Sequence, residues 1–320
     1  ALYTIFPHLS EWRMKRNLLN IRVTEEEKRG LKTESSRRRK AAAFCFSVLL
    51  AIGVVFSGFA ACGLGSPFVN TAYAASYDAE DVQVSQDGVT FTCDFLDDGT
   101  AVVTKIVADD GVTTVSVPSS LANNGKDYTV TGVKFPYGTK GSDVEQLVLP
   151  DTLQTMSGYC FWKLEKVKEL TIPGSVTNFS CTLQNSDCLE KLTFSEGVEE
   201  LSANMMVANC SNLKEIVLPS TLKSISQPGA FSDASALETI NLPDGVEFGE
   251  NVGGTFSDCS SLTSITLPAS VTTIHSNMFK GCDSLTSITA KGNIESIGSS
   301  AFSGCKALTE VGLQGKLTSV

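Results

Sequence analysis

L-T-S-I-T-L-P-A-S-V-T-T-I-H-S-N-M-F-K-G-C-D-S, residues 262–284, is the clearest copy of a unit written eight times from Val144 onward. Copies begin at Val144, Val167, Leu189, Leu213, Leu237, Leu262, Leu285 and Leu308, so successive starts lie 23, 22, 24, 24, 25, 23 and 23 residues apart. A fixed period of this size means a solenoid, because one such unit cannot bury its apolar side alone and stacked units make the core together. A solenoid offers a long repeated surface rather than a pocket. Binding, not chemistry, is therefore the expectation.

Within residues 262–284 the apolar positions form a triangle. Ile265 and Leu267 alternate with Thr266, which reads as a short half-buried strand, and Pro268 ends it because it has no N–H to donate. Val271 and Ile274 supply a second inward pair, and Phe279 and Cys282 a third before a polar turn. The frame L-x-x-I-x-L-P-x-x-V-x-x-I-x-x-x-x-F-x-x-C-x-x recurs at 213–236, 237–261, 262–284 and 285–307. This pattern resembles the leucine-rich repeats of bacterial surface proteins called BspA-like. The resemblance covers 144–320, and the hairpin segment 77–135 resembles the unit that precedes such repeats. It implies a β-rich solenoid of right-handed leucine-rich coils of 22–25 residues with an N-terminal β-hairpin cap, and a role in adhesion or host interaction. Val207 stands where the frame has Phe, Ala234 where it has Cys, and Ala290-Lys291 where it has Leu-Pro. The copy at 144–166 is degenerate after Met156.

Ahead of the repeats, Val89–Phe95 and Ala101–Ile106 flank Asp97-Asp98-Gly99, a strong hairpin signal. Thr113–Pro118 and Tyr128–Val133 continue the alternation, and a small β unit over 75–143 is expected to cover the end of a solenoid spanning 144–320. Asp94, Asp97 and Asp98 lack the spacing of a calcium loop and read as turn residues.

The amino-terminal part is different material. Residues 1–40 read as a basic cytoplasmic extension, with Met14 a candidate true start. Arg37-Arg38-Arg39-Lys40, the apolar run 41–64 and Ala72-Tyr73-Ala74 before Ala75 are the three parts of a secretory signal, with cleavage expected after Ala74. Lipidation at Cys62 and twin-arginine export are weaker readings, since Phe59 and Lys40 break those patterns. The membrane is expected to matter only through this segment. From Ala75 onward the chain holds 14 Lys, no Arg and 30 Asp or Glu, a net charge of −16. Such an acidic body excludes nucleic acid as the expected partner, because that binding is dominated by cationic contacts to phosphate.

Cys188, Cys210, Cys259, Cys282 and Cys305 are read as one inward column of small buried residues, with a bridge between 282 and 305 the alternative. Cys93, Cys160 and Cys181 fall off that column and are expected to be exposed thiols. No C-x-x-C occurs, so no metal is expected, and no cofactor either. His275 is the one His beyond the signal, expected in a solvent-facing turn with no catalytic partner. The chain is not expected to be an enzyme.

Binding is expected on the concave strand face. One outward column holds Gln146, Glu169, Lys191, Glu215, Thr239, Ser264, Ser287 and Glu310; the other holds Val148, Thr171, Thr193, Val217, Asn241, Thr266, Thr289 and Gly312. Such a mildly polar face suits an extended extracellular protein or a glycan. The eighth copy stops at Val320, midway through its frame, so a longer chain is expected. If a surface hydrolase lay beyond it, the coils would be a targeting arm; a structural role in the envelope is the third reading.

Overall fold

The computed structural model describes residues 76–135, 143–159, 166–314 and 317–319. The expected export segment, with Ala72, Ala74 and Ala75, and Cys160 lie outside the described residues. Among the described residues every regular element is a strand. Three antiparallel strands come first: β1 (Tyr77–Gln86), β2 (Val89–Leu96) and β3 (Thr100–Ala108). Then follow β4 (Thr114–Ser116) and the hairpin of β5 (Ser120–Asn123) with β6 (Lys126–Phe135).

From there each coil contributes two short strands to two parallel ladders. The first ladder takes the L-x-x-I-x-L part of the frame: β7 (Gln146–Val148), β9 (Glu169–Ile172), β11 (Lys191–Phe194), β13 (Glu215–Val217), β15 (Thr239–Ile240), β17 (Ser264–Leu267), β19 (Ser287–Asn293) and β21 (Glu310–Gln314). The second takes the V-x-x-I part: β8 (Thr155–Gly158), β10 (Asn178–Cys181), β12 (Glu200–Leu201), β14 (Ser224–Ile225), β16 (Glu247–Phe248), β18 (Thr273–Ile274) and β20 (Ser296–Ile297). Equivalent residues stand opposite one another, Leu192 between Leu170 and Ile216 for example. A register slip of one would turn every apolar side chain outward, so the apolar pattern fixes the stacking.

The ladders start before Val144. Strand β4 pairs with β7 in the coil register, Val115 opposite Leu147, and β6 pairs with β8, Val133 opposite Met156. Residues 112–118 and 130–133 thus make a coil of their own that carries the β5–β6 hairpin as an insertion. The second ladder then runs through β6 into β3, β2 and β1 as one ten-stranded sheet. The expected cap and the first coils share that sheet, without a break at 143/144. In the hairpin turn, Asp98 accepts bonds from the Thr100 amide (2.9 Å) and hydroxyl (2.7 Å). Asp94 is buried and accepts the amide of Asp81 (3.0 Å), a residue held at φ 55° in the bulge of β1.

The third side of each coil is a turn around one aromatic ring. Gly229 and Asp233 flank Phe231, Gly254 and Asp258 flank Phe256, Asn277 and Gly281 flank Phe279, and all six have positive φ. That backbone region is open to Gly and tolerated by Asn and Asp, which is why those residue types recur there. The rings of Phe231, Phe256, Phe279 and Phe302 stack in a column with centroids 5.4, 5.5 and 6.0 Å apart. Beside them, each coil's thiol donates to a carbonyl one coil back: Cys210 to Leu183 (3.3 Å), Cys259 to Phe231 (3.1 Å), Cys282 to Phe256 (3.1 Å) and Cys305 to Phe279 (3.0 Å).

One position in this column works against the fold. The Ser232 hydroxyl is buried without a hydrogen-bond partner, whereas the previous coil has buried Ala208 at the same position. Removing an unsatisfied buried hydroxyl is stabilising, so Ser232→Ala is expected to raise the unfolding free energy by about 1 kcal/mol. Urea denaturation checks this; a loss of stability would show that the hydroxyl has a partner.

Candidate binding face

Outward residues of the first ladder are set by strand alternation, since Ile265 and Leu267 point into the core while Ser264 and Thr266 stand outside. All fourteen expected contact residues sit on this ladder or directly beside it. Ladder pairing aligns Glu169, Lys191, Glu215 and Thr239 in one column, and Ser264, Ser287 and Glu310 in its continuation. Thr171, Thr193 and Val217 align in the second column, as do Thr266, Thr289 and Gly312. Gln146 and Val148 enter through β7, and Asn241 follows β15 as an exposed residue. The side chains of Thr171, Thr193, Thr239, Asn241, Ser264, Thr266, Ser287 and Thr289 make no hydrogen bond among the described residues.

The face divides into two chemistries. In the coils before 240, a charged column that the sequence reading missed runs beside the first: Glu145, Lys168, Glu190, Lys214 and Glu238. Alternation of sign at the repeat period was its signal. Lys168 and Lys214 reach Glu190 at 3.2 and 3.3 Å, and Lys191 reaches Glu215 at 3.0 Å. Hydrogen bonds from Lys168 and then Lys214 hold the Glu190 carboxyl below its ordinary pKa. In the later coils the flanking column is Thr263, Thr286 and Thr309, whose hydroxyls donate to the carbonyls of Glu238 (3.3 Å), Thr263 (2.9 Å) and Thr286 (3.3 Å).

The second ladder presents a different surface, with its polar groups tied to one another. Asn178 donates to Glu200 (2.7 Å), Ser202 donates to Asn178 (2.5 Å), and Ser226 donates to Glu200 (2.8 Å). Groups already bonded across coils lose those bonds if they turn to a ligand. On the first ladder Lys191 and Glu215 are paired, while the hydroxyls of Thr171, Thr193, Thr239, Ser264, Thr266, Ser287 and Thr289 stay uncommitted among the described residues.

The cysteine expectations need correction. Cys188 does not belong to the column: it directly precedes Leu189 and is half-buried, while Ser186, fully buried, holds the column position. That coil is one residue shorter between Phe179 and Leu183, which moved the register. Cys93 and Cys181 are not exposed but fully buried, one on the inner face of β2 and the other at the end of β10. None of the described cysteines is in a disulfide. Burial pushes the thiols of Cys93, Cys210 and Cys282 up to about 12, and that of Cys259 well above its ordinary value. Since the thiolate is the reactive species, Cys93, Cys181, Cys210, Cys259 and Cys282 are expected to resist a thiol reagent in the native protein and to react on unfolding in urea. Prompt native labelling of any of the five, read by peptide mass, would contradict the burial. His275 is half-buried rather than solvent-facing, and burial lowers its pKa. Among the described residues no group of three His, Cys, Asp or Glu side chains could hold a metal ion.

Among curated proteins none matches the chain. Solved structures similar in fold include a leucine-rich cell surface protein of Faecalibacterium prausnitzii A2-165, 18% identical, with 74% of this chain and 77% of that chain covered and a TM-score of 0.42. The pneumococcal vaccine antigen PcpA is 12% identical, with 74% and 100% covered and a TM-score of 0.39. A leucine-rich repeat protein of Bacteroides ovatus ATCC 8483 is 17% identical, with 71% and 81% covered and a TM-score of 0.30. The model of the BspA-type leucine-rich repeat region matches six copies over residues 137–253 and 252–320. With more than half of its length so matched, and with the repeat geometry described above, the chain belongs to the BspA-type leucine-rich repeat proteins of bacterial surfaces.

Proposed function

We propose that this protein is exported by its amino-terminal signal, cleaved after Ala74, and uses the first-ladder face as a binding surface for an extracellular protein or glycan in adhesion or host interaction. The observation that supports the reading best is the contrast between the two ladders. The second has cross-linked polar side chains; the first aligns uncommitted hydroxyls in two runs, Thr171 with Thr193 and Thr266 with Thr289. Concave or flat strand faces of solenoids are their usual contact surface. The same geometry supports a non-catalytic role: the described thiols at Cys93, Cys210, Cys259 and Cys282 are held protonated by burial. His275 has no acid or nucleophile bonded to it among the described residues. No cofactor enters this reading.

Binding of the purified protein to immobilised extracellular-matrix proteins and to a glycan array tests it. Saturable binding to one target supports adhesion. Absence of binding to both classes would remove this reading and leave a structural role.

A further inference from the structure

Both strand ladders stop at the same step; the first is also interrupted between β7 and β9, but there the second stays paired through β8 and β10. The four-stranded part of the first ladder ends at β15 and a separate sheet starts at β17; the ten-stranded sheet ends at β16 and β18 pairs only with β20. Across this step the described residues keep two backbone bonds beside the first ladder, Thr263 amide to Glu238 carbonyl and Ser261 amide to Ser235 carbonyl (both 3.1 Å), but no strand pairing. On the second ladder, the Ser270 hydroxyl reaches the Val246 carbonyl (2.6 Å), as Thr221 reaches Val198 in the paired coils, but here no strand pairing accompanies the bond. The third side stays fully bonded: Gly254 to Ser276, Phe256 to Met278 and Asp258 to Lys280, at 2.9, 2.9 and 2.6 Å. Two sides are loose and one is stitched, which is the mechanics of a hinge whose axis lies along the bonded third side, across the phenylalanine column.

The coil from Leu237 shows what loosens it. At 25 residues it is the longest, and the surplus falls in Gly249-Glu-Asn-Val-Gly-Gly254. Phe248 is only half-buried, while Ile225 and Ile274, the two flanking residues of its kind in the neighbouring coils, are fully buried. The rings on either side of the step, Phe256 and Phe279, stay within 3° of parallel, in keeping with the bonded third side.

A latch straddles the step. Lys291, which stands where the frame has Pro, reaches Asp244 at 2.7 Å, 47 residues away. Other ion pairs between coils, such as Lys214–Glu190, Lys223–Glu199 and Lys306–Asp283, join neighbouring coils; Lys291 passes over one coil to reach the next but one. It is the one described ion pair that ties the coils on either side of the loose step. The pair is exposed, so salt screens it.

We infer that the coil 237–261 is a hinge held by the Asp244–Lys291 ion pair, and that it sets the angle between the charged and the hydroxyl-lined halves of the first-ladder face. The inference stands on the ladder break and the latch, and does not depend on what the face binds. Hinges of this kind place a rigid body on each side of a few adaptable residues.

Distance measurements by pulsed electron resonance test it on the full chain, with nitroxides attached through keto-bearing unnatural residues so that native thiols are untouched. One pair, at Thr171 and Thr289, spans the step; a control pair, at the exposed Thr155 and Gln227, lies before the hinge coil in coils joined by the continuous second ladder. The spanning distribution is expected to be about twofold wider than the control. Lys291→Met, and separately about 1 M NaCl, where the Debye length is about 3 Å, should both move the spanning distance to longer values and leave the control unchanged. A spanning distribution as narrow as the control, or one that neither change lengthens, overturns the inference.

Discussion

Phe256→Ala is expected to lower the unfolding free energy by about 3–5 kcal/mol and to split the urea transition in two. The ring is fully buried and is stacked on both sides, against Phe231 and Phe279. Truncation leaves a cavity between coils whose other two sides are already unpaired at the next step. Solenoid stability is a sum of coil terms and nearest-neighbour terms, so losing one interface uncouples what lies beyond it. The coils after 262 should then unfold at lower urea than those before 237, followed by hydrogen exchange of peptides from each side. A single transition with unchanged midpoint would show that the aromatic column is not what joins these coils.

Gly174→Ala is the second large effect, expected at about 3 kcal/mol. A methyl at Gly174 would land on the carbonyl oxygen of Glu196, with the carbonyl carbon at 2.8 Å and the Cα of Gly197 at 3.4 Å. The obstruction is main chain of the next coil, so no side-chain rotation relieves it, and the two coils must part. Gly99→Ala is the comparison: it meets nothing within 4 Å and carries only the left-handed penalty at φ 84°, about 1–2 kcal/mol. Thermal unfolding of both variants separates the two causes; equal losses would mean that the Gly174–Glu196 approach is not tight.

Much of this was legible because the repeat is redundant. Ile265, Ile288, Leu192 and Leu170 each predict the others' direction, and one readable copy fixes the rest through the register. Where a coil departs from the frame, reading failed for identifiable reasons. A one-residue deletion between Phe179 and Leu183 placed Cys188 in a column that Ser186 occupies. The insertion of β5 and β6 hid the frame in Val112–Pro118, whose partner Val133 lies far downstream. Cys93 and Cys181 were read as exposed because they miss the repeat position, yet strand alternation in β2 and β10 turns both inward. On the candidate face, the columns follow from alternation; strand pairing aligns Glu169, Lys191 and Glu215, and Ser264 with Ser287, whereas Gln146 and Val148 lie on a strand that pairs with β4. Which hydroxyls are free could not be read in advance, since Thr263 and Thr266 are the same residue type and only the neighbouring carbonyl distinguishes them.

The central claim, that the first-ladder face is the contact surface, is tested most directly by surface plasmon resonance with face-specific charge changes. The target is whichever matrix protein or glycan captures the wild type. Glu169→Lys with Glu215→Lys alters the first-ladder face, and Thr155→Lys with Glu247→Lys alters exposed positions of the second ladder. Circular dichroism confirms that both variants keep the fold. The account predicts that the first pair changes affinity at least tenfold, about 1.4 kcal/mol, while the second leaves it as it was. Equal effects from both pairs, or an effect from the second pair alone, would contradict it.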